Sequence, residues 1–189
     1  LKQSKSNKYA LTILVIAAIF WLGGINVRAL IQNELLDYDQ FAFRTSIPPD
    51  RENTLFQLIS NASLVIVISY AVVFISAVWF LKTTHLKIKQ NGWLLMSAIL
   101  FFLFTPAEIY TYYLDIKFML LYHSHPPNHD ELLRLFGMRL GALSGVPVIA
   151  LLCYYTIIPL VIFKPLRRKA LPEVTAEAPK MEKIKESTS

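Results

Sequence analysis

Residues 93–121 read WLLMSAILFFLFTPAEIYTYYLDIKFMLL, and this stretch decides the class of the protein. Its apolar character carries on well past the ~18 residues that mark a membrane-spanning helix, opened by Trp93 as an interfacial anchor. As one helix, Leu94 to Leu121 is about 42 Å long against a hydrocarbon core of ~30 Å. The reading is a span bent at Pro106 whose last turns project from the bilayer. Within it Glu108, Thr111, Tyr112 and Asp115 recur at spacings of three and four and share one helix face.

Three further apolar blocks surround this one. The expected spans are residues 9–30, 55–81, 93–121 and 135–163, in a transmembrane region covering 9–169. A chain of 189 residues that is 54% hydrophobic, with a mean hydropathy of +0.45, is more apolar than a soluble domain of its size. The fold class is therefore all-α, a polytopic bundle of four transmembrane helices arranged as two hairpins. The two-hairpin pattern is too generic to point to one family. Lys2, Lys5 and Lys8 ahead of the first block resemble a signal-peptide start, but no small-x-small cleavage site follows before Asn26, so the block is read as a retained span. Residues 170–189, rich in Glu, Lys, Pro, Ser and Thr, are expected to form a disordered tail.

The net charge of +6 does not point to nucleic acid, because basic residues beside apolar spans set topology first and meet lipid headgroups. Thirteen of the nineteen Lys and Arg lie in residues 1–8, the second loop and the C-terminal tail. The positive-inside rule then places both termini in the cytoplasm of a multi-pass cell-membrane protein. Pro48-Pro49 stops any helix before it and starts the second span, with Asp50 and Glu52 in a favourable first turn. Asn128 and Glu131 form a capping-box-like start for the fourth. Leu36-Asp37 with Ser46-Ile47-Pro48-Pro49, and Leu114-Asp115 with Ser124-His125-Pro126-Pro127, are offset by 78 residues. That similarity raises the expectation of a parallel internal duplication, with coincidence as the alternative.

An ionisable side chain inside a span is a functional-site hypothesis by default. Glu108 and Arg139 are expected at similar depth in the outer leaflet, with Arg28, Asn26, Ser60 and Asn61 near that level and Tyr112 on the face of Glu108. Glu108 paired to Arg139 or Arg28 would make either an outer-leaflet polar site or a structural ion pair with the arginines reaching to the interface. Gly137, Gly141 and Gly145 form overlapping GxxxG patterns and are expected to make a close-packing face. Arg139, about 200° round from Gly137 at ~100° per residue, points away from it. His123, His125 and His129 are the candidate metal ligands, but their spacing matches no zinc pattern, and solvated loop histidines are the plainer reading.

No phosphate-binding glycine loop, nucleophile elbow, zincin motif or cysteine pair is present, and no cofactor is called for. The functional expectation is a non-catalytic subunit or scaffold of a larger membrane assembly, with the bilayer and a membrane-protein partner or second copy as its contacts. The alternatives are a small transporter or channel subunit using Glu108 and Arg139, and a membrane metal protein or enzyme using the outer histidines.

Overall fold

The computed structural model describes residues 5–37, 42–44, 46–84, 91–124, 128–141 and 145–165. Lys87 and Lys89 of the second loop, His125-Pro126-Pro127 and the tail expected to be disordered lie outside them. Five helices and one small hairpin make up the described chain. α1 (Lys5–Asn33) leads through β1 (Leu36–Asp37) and β2 (Ala42–Phe43) to α2 (Pro49–Thr83). α3 (Gly92–Tyr122), α4 (His129–Leu140) and α5 (Val146–Phe163) follow. α1, α2, α3 and α5 are the four helices long and apolar enough to cross a membrane. α1 packs along α2, while α3 packs against α5 and also touches α2 and α4.

The burial pattern is that of a protein dissolved in lipid. Ser60, Ser63, Ser76, Ser97, Glu108, Thr111 and Asp115 are buried on α2 and α3, whereas Ile19, Leu30, Ile75, Leu103 and Phe163 are exposed. In water this arrangement would be inverted. In a bilayer apolar side chains face the solvent, and polar ones must find partners inside. Ser63 Oγ donates to the Ile59 carbonyl at 2.7 Å and Ser97 Oγ to the Trp93 carbonyl at 2.9 Å, so these small hydroxyls are satisfied by their own helices.

Three apolar clusters stack along the bundle. At one end Ala10, Phe80, Trp93 and Leu94 close α1, α2 and α3 together. The middle is aromatic: Trp21, Tyr70, Phe101, Tyr112 and Tyr154 from four helices. Ring centroids there lie 4.7 Å apart for Trp21–Tyr154, 4.9 Å for Tyr70–Tyr112 and 5.1 Å for Trp21–Tyr70, each such contact adding about 0.5–1.5 kcal/mol beyond its buried area. At the other end Leu35, Phe56, Ile59, Phe118, Leu132 and Phe136 join the hairpin end of α1 to α2, α3 and α4.

Local chemistry explains the helix starts. Pro49 opens α2 at a position where its missing N–H is not needed, and Asp50 and Glu52 occupy the first turn. Asn128 caps α4 by accepting from the Glu131 backbone N–H at 3.2 Å. Ahead of α2, the loop between the first two spans holds an antiparallel pairing of Leu36 with Phe43 and Asp37 with Ala42. Strands of two residues leave no periodic signature, so nothing in the sequence pattern announced them.

The expected fourth span, 135–163, is not one helix. α4 ends at Leu140, and α5 begins at Val146. Gly141 closes α4 by donating its backbone N–H to the Gly137 carbonyl at 2.9 Å. Gly145 takes φ 89°, a left-handed conformation that glycine adopts without steric cost, and Pro147 sits in the first turn of α5. Gly141 and Gly145 thus flank the interruption between α4 and α5, so the three glycines of the GxxxG reading do not lie on one helix. A Cβ added at Gly137 would meet the Phe43 ring at 3.4 Å, and one at Gly145 would meet nothing. α4 itself is amphipathic, with Leu132, Leu135 and Phe136 buried and Arg134 and Met138 exposed. The break also separates the two halves: α2 runs unbroken for 35 residues, whereas its counterpart in the 78-residue comparison stops after 12.

The glycine that does permit close helix approach is Gly24 on α1. A Cβ there would stand 2.9 Å from Ile66 Cγ1 on α2, and Ile66 is buried in the central cluster. Gly24→Leu is expected to destabilise the protein by about 1–3 kcal/mol through overpacking. The neighbouring Gly23→Leu, with open space in front of it, should change stability little. Thermal unfolding in detergent checks the pair, and equal shifts for both variants would contradict the α1–α2 contact.

Candidate functional site: a buried charge cluster on α3

One face of α3 supplies the interior polar groups. Glu108, Thr111, Tyr112 and Asp115, spaced by three and four, are all buried there. The hydrophobic neighbours that surround them come from α1, α2 and α5, so each polar atom depends on a specific partner.

Asp115 has two cationic partners. Arg28 Nη1 and Nη2 donate to Asp115 Oδ2 and Oδ1, both at 2.5 Å, in a two-pronged pairing. Arg139 Nε donates to Oδ1 at 3.2 Å. The Arg28 and Asp115 side chains are 5% and 2% exposed, and that of Arg139 is 21% exposed. One carboxylate thus ties α1, α3 and α4 together. Fork-to-carboxylate geometry adds direction to charge attraction, and in low dielectric that attraction is poorly screened.

Glu108 lies seven residues before Asp115, about 10 Å deeper along the helix axis. Among the described residues it makes no ion pair; the Tyr112 and Tyr154 hydroxyls flank its carboxyl instead. Trp21 Nε1 donates to Tyr112 Oη at 2.7 Å. An indole N–H can only donate, so the Tyr112 hydroxyl accepts there and keeps its own hydrogen for the Glu108 side. Tyr154 Oη, also buried, has no hydrogen bond of good geometry among the described residues. On the far side Tyr70 Oη donates to Thr105 Oγ1 at 3.2 Å. The polar groups thus form two levels, an aromatic–carboxyl layer at Glu108 and an ion-paired layer at Asp115.

The residues singled out in the sequence fall into distinct places. Arg28 and Arg139 do meet across helices, but on Asp115 and not on Glu108. Arg139, in the last turn of α4, reaches Asp115 and not Glu108. Tyr112 belongs to the Glu108 layer. Asn26 donates to the Leu22 carbonyl at 2.9 Å and to Tyr155 Oη, on the exposed side of α1. Asn61 is exposed, and the buried polar groups beside it are Ser60 and Ser63. Asp115 carried the same spacing signal as Glu108, and the two arginines supplied the need for a carboxylate at their level.

The histidines described are engaged separately. His123 Nδ1 lies 2.8 Å from the Met119 carbonyl of its own helix. His129 Nε2 is 3.7 Å from Glu52 Oε2 and rests against the Phe56 ring. No group of three metal-ligating side chains occurs among the described residues, and His125 lies outside them. On the exposed side of α4, Arg134 bonds Glu131 through Nε and Nη2 and holds that carboxyl below its usual range. A cavity of about 310 Å³ lies nearby, between Pro49, Glu52, Asn53, Phe56, His129 and Leu132. Another, of about 300 Å³, is an apolar groove on the α1–α2 surface around Gly23 and Ala62. Neither is lined by Glu108 or Asp115.

Comparison of the chain with protein families, curated proteins and solved structures finds no match. The fold and the buried charges therefore define its class by themselves: a multi-pass helical membrane protein.

Removing the carboxylate at Asp115 leaves two guanidiniums facing each other in an apolar interior. Asp115→Asn is expected to cost about 3–5 kcal/mol, the usual penalty for orphaning a buried charge. Glu108→Gln keeps size and hydrogen-bonding capacity and should cost about 1 kcal/mol or less. Thermal unfolding in one detergent ranks the two, and a Glu108 variant as damaged as the Asp115 variant would show that the ion cluster is not the dominant tie.

Proposed function

We propose that this chain is a non-catalytic subunit or scaffold of a larger membrane assembly. The observation that carries the reading is how little each span buries within its own chain. In the most apolar stretch of α5 only 11% of residues are buried, and in that of α1 only 17%. The interior, by contrast, is held by a directional ion cluster and a packed aromatic layer, which suits a rigid element presenting its outer surfaces to neighbours. The neighbours in this reading are helices of a partner or of a second copy, beside lipid. The distribution of Lys and Arg supports an orientation with both termini on the cytoplasmic side of the cell membrane.

A second reading, a small transporter or channel subunit, is favoured by one observation. Glu108 is sixteen residues from the start of α3 and fourteen from its end, close to the bilayer midplane, without an ion-pair partner among the described residues. Such placement is expensive unless it serves something. That no described cavity is lined by Glu108 weighs against it.

Extraction from the native membrane in mild detergent, followed by cross-linking and native mass spectrometry, tests the first reading. A species heavier than the single chain, with defined stoichiometry, is the expected result, and a well-behaved monomer with no co-purifying protein overturns it. For the second reading, Glu108→Cys in a Cys153→Ser background is exposed to a membrane-impermeant thiol reagent. Labelling would favour a water-reachable site, whereas protection fits the sealed interior expected of a scaffold.

A further inference from the structure

Among the described residues, the charge balance around Asp115 is incomplete. Two guanidiniums share one carboxylate, leaving one positive charge at that level. α1 contains no Asp or Glu, and neither does α5. The acidic residues of α2 are Asp50 and Glu52, in its first turn. Those of α4 are Asp130 and Glu131, at the end opposite Arg139, and Glu131 is bonded to Arg134. Besides Asp115, only Glu108 remains on the packed helices. It lies two turns from Asp115 on the same buried face of α3, and it forms no ion pair with Arg139 among the described residues.

The donors of the two arginines are unequally used. Arg28 is buried, with both Nη groups on Asp115 and Nε without a partner among the described residues. Arg139 uses only Nε on Asp115, and its Nη groups have no hydrogen-bond partner among the described residues. Its side chain is about one-fifth exposed, so the guanidinium is not sealed off from the surroundings of the bundle.

Their depth identifies what lies in front of them. The 31 residues of α3 extend about 46 Å against a ~30 Å hydrocarbon core, which leaves about 8 Å beyond each boundary if the helix is centred. Asp115, seven residues before the helix end at Tyr122, then lies about 3 Å inside that boundary. An arginine at this level reaches the layer where lipid phosphates reside. Guanidinium matches a phosphate through two parallel N–H donors, which an ammonium cannot do.

We infer that Arg139, backed by Arg28, binds a single phosphate-bearing anion through its Nη groups, and that Glu108, when ionised, competes with that anion for the positive charge of the cluster. This site does not depend on the assembly reading. Its ligand chemistry is shared by a phospholipid headgroup and a free phosphate, and the two are separable.

The test is native mass spectrometry of the full chain in a neutral detergent, titrated in separate arms with phosphatidylglycerol, with phosphate-free diacylglycerol and with inorganic phosphate. One bound phosphatidylglycerol per chain is expected, with diacylglycerol no tighter than background. Arg139→Gln should weaken binding about tenfold, and Arg139→Lys, which keeps the charge but loses the fork, by an intermediate factor. Glu108→Gln should tighten it roughly three- to tenfold by removing the competing carboxylate, a gain that misfolding cannot produce. Inorganic phosphate bound with the same dependence on Arg139 and Glu108 would support the site with a soluble anion as its ligand. Equal binding by Arg139→Gln and the native chain, no gain in Glu108→Gln, or binding of neither phosphate form overturns the proposal.

Discussion

The attachment of Arg28 and Arg139 to Asp115 is the constraint on which the rest of the bundle depends. A charge in the hydrocarbon region is costly unless paired, and here three charges from three helices must meet in one place. The pairing sets the rotation of α1 and α3, because Arg28 must face inward and Asp115 must face it. It also sets where α4 can dock, since Arg139 reaches Oδ1 only if the last turn of α4 lies beside α3. Leu132, Leu135 and Phe136 then fall onto Phe56, Ile59 and Phe118 as a consequence. Apolar packing between helices has little directional preference when lipid is equally apolar; the ion cluster supplies that direction.

This dependence also explains the break between α4 and α5. A continuous helix from His129 to Phe163 would be about 52 Å long, and the reach of Arg139 to Asp115 would then fix the course of the whole fourth span. Gly141 and Gly145 uncouple the two pieces. α4 is free to satisfy the charge and the hairpin-end cluster, while α5 packs Ala150 and Tyr154 into the aromatic middle. Two short elements meet two requirements that one long helix would have to meet with a single orientation.

Much of this was legible in the chain. The four apolar blocks, the Pro48-Pro49 start of α2 and the Asn128 cap of α4 each rest on local chemistry that acts wherever the segment sits. The polar face of α3 was also readable, because helical spacing alone puts Glu108, Thr111, Tyr112 and Asp115 together. What did not follow was the partner of each charge. That depends on the relative depth and rotation of separate helices, which spacing along a single segment does not give. Glycine was ambiguous for a similar reason: GxxxG is compatible with close packing and with helix termination, and Pro147 just after Gly145 was the local sign favouring termination. The real close approach, at Gly24, carries only an adjacent Gly-Gly pair as its signal, and the need for Ile66 opposite it comes from the pairing of α1 with α2.

The separation of the two polar levels is itself a consequence of partner chemistry. Asp115 lies where guanidiniums from α1 and α4 can arrive, so its charge is balanced within the chain. Glu108 sits in the aromatic layer, where the available partners are hydroxyls and an indole. Trp21 can only donate, so it orients Tyr112 as an acceptor on one side and a donor on the other, toward the carboxyl. Tyr154 adds a second hydroxyl that no other side chain claims. Such a setting can hold a carboxyl by hydrogen bonds whether or not it carries charge, which an ion pair could not do. The interior is thus tied by charge at the level of Asp115 and by hydrogen-bonding groups one layer deeper.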